Sequence, residues 1–126
     1  MRSLVRACLV LGLALAPMLA MAQTAFRPSP GSTVSLSAST TSSSVPLARI
    51  PSGGGTTMFR LYNAGASTVF VTVGPCSTVT ATTSNLPLPS GAIEALFFDV
   101  SDTENCLAGV TASGTATLYV TTGAGG

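Results

Sequence analysis

The 126-residue chain has no histidine and no tryptophan, and its five basic residues are all arginine, so lysine is missing as well. Charged residues make up only 7% of it against 46% hydrophobic, where about a quarter charged is usual for a soluble domain. Each absence removes a class of function. Without histidine no Ser–His or Cys–His nucleophile pair can be built, and the Gly-x-Ser-x-Gly elbow of the hydrolases is also missing. Binding along a nucleic-acid backbone needs clustered cations that displace counterions from phosphate. Beyond residue 22 the cations are only Arg27, Arg49 and Arg60, set against Glu94, Asp99, Asp102 and Glu104. No nucleic-acid partner is therefore expected, and no basic helix is available to lie on a membrane. With no tryptophan and only Tyr62 and Tyr119 as tyrosines, there is little aromatic surface on which sugars could stack. Gly53-Gly54-Gly55-Thr56-Thr57 is glycine-rich, but it lacks the lysine and the helix that a phosphate-binding loop requires.

What remains is a neutral, hydroxyl-rich chain preceded by an apolar leader. Arg2 and Arg6 supply a positive start, Leu9 to Leu19 an apolar run, and Ala20-Met21-Ala22 a small-residue cleavage site ahead of Gln23. These are the parts of a secretory signal peptide, and the run is too short to span a bilayer comfortably. Cys8 precedes most of the apolar run and is badly placed for lipoprotein cleavage. The alternative for residues 1–22 is a misassigned upstream extension, with translation starting at Met21.

Residues 23–32 carry Pro28 and Pro30 and read as an extended arm. Residues 33–126 read as one all-β domain, since no window shows a helical period. Strands are expected at about Thr33 to Ala38, Val45 to Ile50, Thr57 to Asn63, Thr68 to Val73, Val79 to Thr82, Leu86 to Pro89 and Ile93 to Val100, followed by a final pair. Ile93 to Val100 is the most apolar of them. Thr57–Asn63 and Thr68–Val73 are expected to form a hairpin. So are Leu107–Ala112 and Thr115–Thr121 around Ser113-Gly114, with Leu107 opposite Val120, Gly109 opposite Leu118 and Thr111 opposite Ala116. About eight short strands punctuated by Gly, Pro and Ser predict a β-sandwich, either jelly-roll or immunoglobulin-like.

Few residues could carry chemistry. Cys76 and Cys106 are the only cysteines beyond the leader. In an exported chain, pairing them is the natural expectation; in a reduced compartment they read as two small buried thiols. Two thiolates without histidine make no usual zinc set. Asp99, Asp102 and Glu104 cluster in one expected loop and offer hard oxygen ligands for calcium. The spacing is not that of an EF-hand, and a solvated acidic loop is the better reading. Arg60 and Tyr62 fall on the outward side of their strand and form a candidate interface patch, to be weighed against an ordinary exposed pair. No catalytic residue and no cofactor is expected.

Three stretches taken in order carry a family resemblance. Phe59-Arg60-Leu61-Tyr62-Asn63-Ala64-Gly65 is followed by Val69-Phe70-Val71-Thr72-Val73-Gly74. Next comes Leu86-Pro87-Leu88-Pro89-Ser90-Gly91-Ala92-Ile93-Glu94, and last Ala112 to Thr121, near a Gly-rich C-terminus. This order resembles small β-sandwich proteins encoded among the structural genes of tailed bacteriophages and prophages. The resemblance implies a non-enzymatic virion accessory or capsid-decoration protein. Its partner would be a capsid or other virion protein, or further copies of itself as a homo-oligomer. A secretion leader is not part of that pattern. With a start at Met21 the expectation is a virion protein; with the leader it is a periplasmic or extracellular binding module stabilised by a disulfide.

Overall fold

The computed structural model describes residues 25–48, 57–98 and 105–125. These contain no helix, and accordingly none long and apolar enough to cross a membrane. Eight strands follow one another as β1 (Arg27–Ala38), β2 (Ser43–Pro46), β3 (Thr57–Asn63), β4 (Val69–Pro75), β5 (Leu86–Leu88), β6 (Ile93–Leu96), β7 (Asn105–Thr111) and β8 (Ala116–Ala124).

They form two antiparallel sheets of four, one in the order β1-β8-β3-β6 and the other β2-β7-β4-β5. The pairs β1–β8, β2–β7, β3–β6 and β4–β5 are nested. The chain is in effect one long hairpin, closed at β4–β5 and rolled so that successive pairs alternate between the sheets. Of the two sandwiches the sequence allows, this order is the jelly roll.

Alternation builds the core. Phe59 and Leu61 of β3, Leu118 and Val120 of β8, Val69 and Val71 of β4 and Leu107 of β7 are all fully or nearly fully buried between the sheets. Where large side chains from both sheets meet, β7 carries Gly109. A Cβ there would sit 2.7 Å from Leu36 Cδ2 and 3.1 Å from Val69 Cγ1, so the missing side chain makes room for Leu36.

Several elements depart from the sequence reading. The two expected hairpins do not form: β3 and β4 lie in opposite sheets, as do β7 and β8. Val120 pairs with Val34 and Leu61, while Leu107 pairs with Val45 and Val73. Their side chains meet face to face across the core rather than side by side. Alternation assigns each residue to a face but not to a neighbouring strand, and both arrangements satisfy the same pattern. Strand β1 begins at Arg27, inside the stretch read as an arm, with Arg27 opposite Ala124 and Pro28 opposite Gly123. An irregularity between Pro28 and Thr33 absorbs Pro30 and Gly31, whose φ is +72°. Prolines are tolerated there because β1 is an edge strand with a bulge. Strand β6, in the stretch read as the most apolar strand, spans only Ile93–Leu96, is mostly exposed and lies at a sheet edge. Residues 79–82 form no strand, and the ends of two expected strands, 49–50 and 99–100, lie outside the described residues.

Candidate functional site

The outer faces of the two sheets differ, and the difference decides where a partner can reach. On the β2-β7-β4-β5 sheet, Cys106, Ala108 and Val110 of β7 point away from the core, yet all three are buried. The cover comes from residues 76–85, the β4–β5 connection, which fold back across the sheet. Ala81 packs with Ala108 and Val110 in a second small core, joined by Phe70 and Val79. The Ala81 amide donates to Ser42 Oγ at 2.8 Å, and the Thr82 amide to Asn85 Oδ1 at 2.7 Å. At the start of this flap Cys76 is disulfide-bonded to Cys106, with 4.8 Å between their Cα atoms. The two expected cysteines are therefore brought together, and their bond ties the flap to the strand it covers.

The β1-β8-β3-β6 sheet has no such cover among the described residues. Across its outer face run two rows set by register. One is Ser35, Tyr119, Tyr62 and Ile93; the other is Thr33, Thr121, Arg60 and Ala95. The rings of Tyr62 and Tyr119 stack at 6.3 Å between centroids with 19° between planes. The hydroxyls of Thr33 and Thr121 share a hydrogen bond of 2.8 Å. Arg60 and Tyr62 are both exposed on this face, as the alternation of β3 implies. Tyr119 and Ile93 complete the patch and were not singled out in the sequence. Tyr119 alternates with Leu118 and Val120, so its outward direction was legible, but its place beside Tyr62 follows only from the sheet order.

The interior offers little to a ligand. Among the described residues every buried side-chain nitrogen and oxygen has a hydrogen-bond partner, and no group of three His, Cys, Asp or Glu could hold a metal ion. Asp99, Asp102 and Glu104, the candidate calcium ligands, lie outside the described residues. At one end of the sandwich an open depression of about 620 Å³ is lined by Ser37, Ser39, Gly65, Thr115 and Thr117 among others. It presents hydroxyls and backbone and no charged or strongly nucleophilic group. No family, no curated protein and no solved structure matches this chain.

Proposed function

We propose that this chain is an exported, non-enzymatic jelly-roll module that works by binding a protein partner through the open outer face of its β1-β8-β3-β6 sheet. The observation carrying the reading is the Cys76–Cys106 disulfide, because structural disulfides persist in oxidising compartments outside the cytoplasm. It agrees with the secretory pattern of residues 1–22. The open face supports a protein partner: Tyr and Arg are the residue types enriched where interfaces draw most of their energy, and Arg60, Tyr62 and Tyr119 stand together there.

A second reading, a virion accessory or decoration domain, is favoured by the strand order. The eight-stranded jelly roll is the layout of many capsid domains, but also of lectins and cupins, so the likeness is one of fold and not of activity.

The intact, non-reduced mass of the protein from its native source separates the two readings. A chain beginning at Gln23 and lacking two hydrogens is the result expected for an exported module. A chain beginning at Met21 or Ala22 with both thiols free would sink the export reading. Recovery of that form in purified particles would establish the virion one.

A further inference from the structure

Each sheet of an open sandwich has two edge strands, and an unprotected edge is a template for pairing with another chain. Here the edges are β1 and β6 in one sheet and β2 and β5 in the other. Three of them carry proline: Pro28 and Pro30 in β1, Pro46 in β2 and Pro87 in β5. Proline cannot donate to a ladder, so these edges are blunted. Strand β6, Ile93-Glu94-Ala95-Leu96, has none. Among the described residues it pairs only with β3. It is also flanked by the two most exposed large apolar side chains among the described residues, Ile93 at 53% and Phe97 at 52%.

We propose that β6 pairs antiparallel with β6 of a second copy, giving a symmetric dimer in which the β1-β8-β3-β6 sheet continues as eight strands. The occupant is identified by the self-complementarity of the strand. In a two-fold pairing of this kind, residues opposite one another must point to the same face. Ile93 and Ala95 share the outer face with Tyr62 and Arg60. Leu96 and Phe98 turn toward Phe59, whose ring lies 5.8 Å from that of Phe98, so Phe97 lies between them on the outer side.

Every register centred on a residue keeps these faces matched, and those centred on Glu94, Ala95 or Leu96 pair the most of residues 93–97. Centring on Glu94 sets two carboxylates directly opposite, which is repulsive. Centring on Leu96 sets Phe97 opposite Ala95 and separates it from Ile93. Centring on Ala95 sets Glu94 opposite Leu96 and Ile93 opposite Phe97, twice by symmetry. Only the last register keeps the carboxylates apart while covering all four exposed apolar side chains.

The charges fit this register as well. Arg60 lies beside Ala95, so the middle of the dimer reads Arg60, Ala95, Ala95, Arg60 across four strands. At the usual strand spacing the two guanidiniums are anchored about 14 Å apart, beyond the Debye length of about 8 Å at physiological salt. The row Tyr119, Tyr62, Ile93 runs on into Phe97 of the second copy, making one aromatic and aliphatic band across the joined sheet. This association is independent of whether the chain is exported.

Light scattering on the purified protein tests the proposal, with twice the chain mass expected at micromolar concentration. Replacing both apolar flanks, Ile93→Lys with Phe97→Lys, is expected to give a folded monomer, because both side chains are already half in solvent, with an unfolding midpoint that no longer rises with protein concentration as that of the dimer does. The register is read by cysteine cross-linking. Ala95→Cys is expected to form a covalent dimer under mild oxidation at least about tenfold faster than Glu94→Cys, since opposed antiparallel residues match disulfide reach. A monomeric wild type, a double-lysine variant that stays dimeric, or Glu94→Cys cross-linking as fast as Ala95→Cys would each overturn the proposal.

Discussion

At the scale of single residues, the most consequential polar side chain is Asn63, fully buried at the end of β3. Its Nδ2 donates to the carbonyls of Ser67 and Leu88, both at 2.8 Å, and its Oδ1 accepts from the Gly65 amide at 3.0 Å. Its backbone carbonyl takes the Gly91 amide at 2.8 Å. The side chain thus fastens the β3–β4 turn and strand β5, and the backbone carbonyl of the same residue holds the approach to β6. Beside it, Gly65 is needed because a Cβ there would run into the Cα and Cβ of Ala116. Asn63→Ala leaves the Leu88 carbonyl without its partner in a buried site, and the Ser67 carbonyl and Gly65 amide without theirs in part-buried ones. At about 1–3 kcal/mol for each buried group stranded, partly relieved by movement of the turn, the variant is expected to lose about 3 kcal/mol. A urea titration checks this as a lower midpoint with an unchanged slope. Asn63→Asp is expected to be no better, since it exchanges two donors for acceptors facing carbonyls. The sequence places Asn63 on the inward face, in step with Phe59 and Leu61. What it could not convey is why an amide belongs there, because Ser67 and Leu88 become its partners only when the chain is rolled.

At the scale of elements, the flap over 76–85 is the feature that reading strands alone misses. Val79 to Thr82 has some alternation and reads as a strand, but Val79 and Ala81 serve a different end, packing with Ala108, Val110 and Phe70. Two apolar residues in a polar stretch do not say which surface they cover. The same limit applies to the expected hairpins: Ser113-Gly114 does turn the chain, with Gly114 at φ +72°, but it passes β7 to β8 from one sheet to the other. By contrast β3, with seven alternating residues, and proline-bearing β5 at a sheet edge were legible locally because their signals are local. The flap is held at its root by the Cys76–Cys106 bond, which closes a loop of 30 positions. In the chain-entropy account such a closure is worth roughly 3.6 kcal/mol. Replacing both cysteines by alanine is therefore expected to lower stability by about that amount while the jelly roll persists. Hydrogen exchange offers a local check. The Ala81 amide, bonded to Ser42 Oγ, is expected to lose protection more than the Thr111 amide, bonded to the Ser39 carbonyl. Equal loss at both would mean that the bond stabilises the whole fold without pinning the flap.

At the scale of the molecule, the nested order governs how the fold can be reached. Only β4–β5 joins strands adjacent in the chain, while the outermost pair brings Ser32 to Thr122 across 90 positions. Eight short strands and an all-β class were readable from spacing and punctuation. The nesting was not, since pairing over such distances leaves no trace in local pattern. Proteins dominated by non-local pairing fold over about milliseconds to seconds, and this chain is expected in that range. The disulfide gives a sharper test. It joins β7 to the end of β4, and β4 and β7 are the central strands of one sheet, paired from Val69–Thr111 to Pro75–Asn105. With the bond intact, the loop between them is already closed in the unfolded chain, so its closure entropy is not charged on the way to the transition state. If β4–β7 pairing is part of the folding nucleus, removing the bond acts on the folding arm. The rate is then expected to fall by about 400-fold with little change in unfolding. Stopped-flow refolding of wild type and the double-alanine variant measures both arms. A loss carried by faster unfolding would instead mean that β4 and β7 join after the transition state. That order would leave β4–β5, the one pair local in the chain, as the contact whose loop costs least to close first.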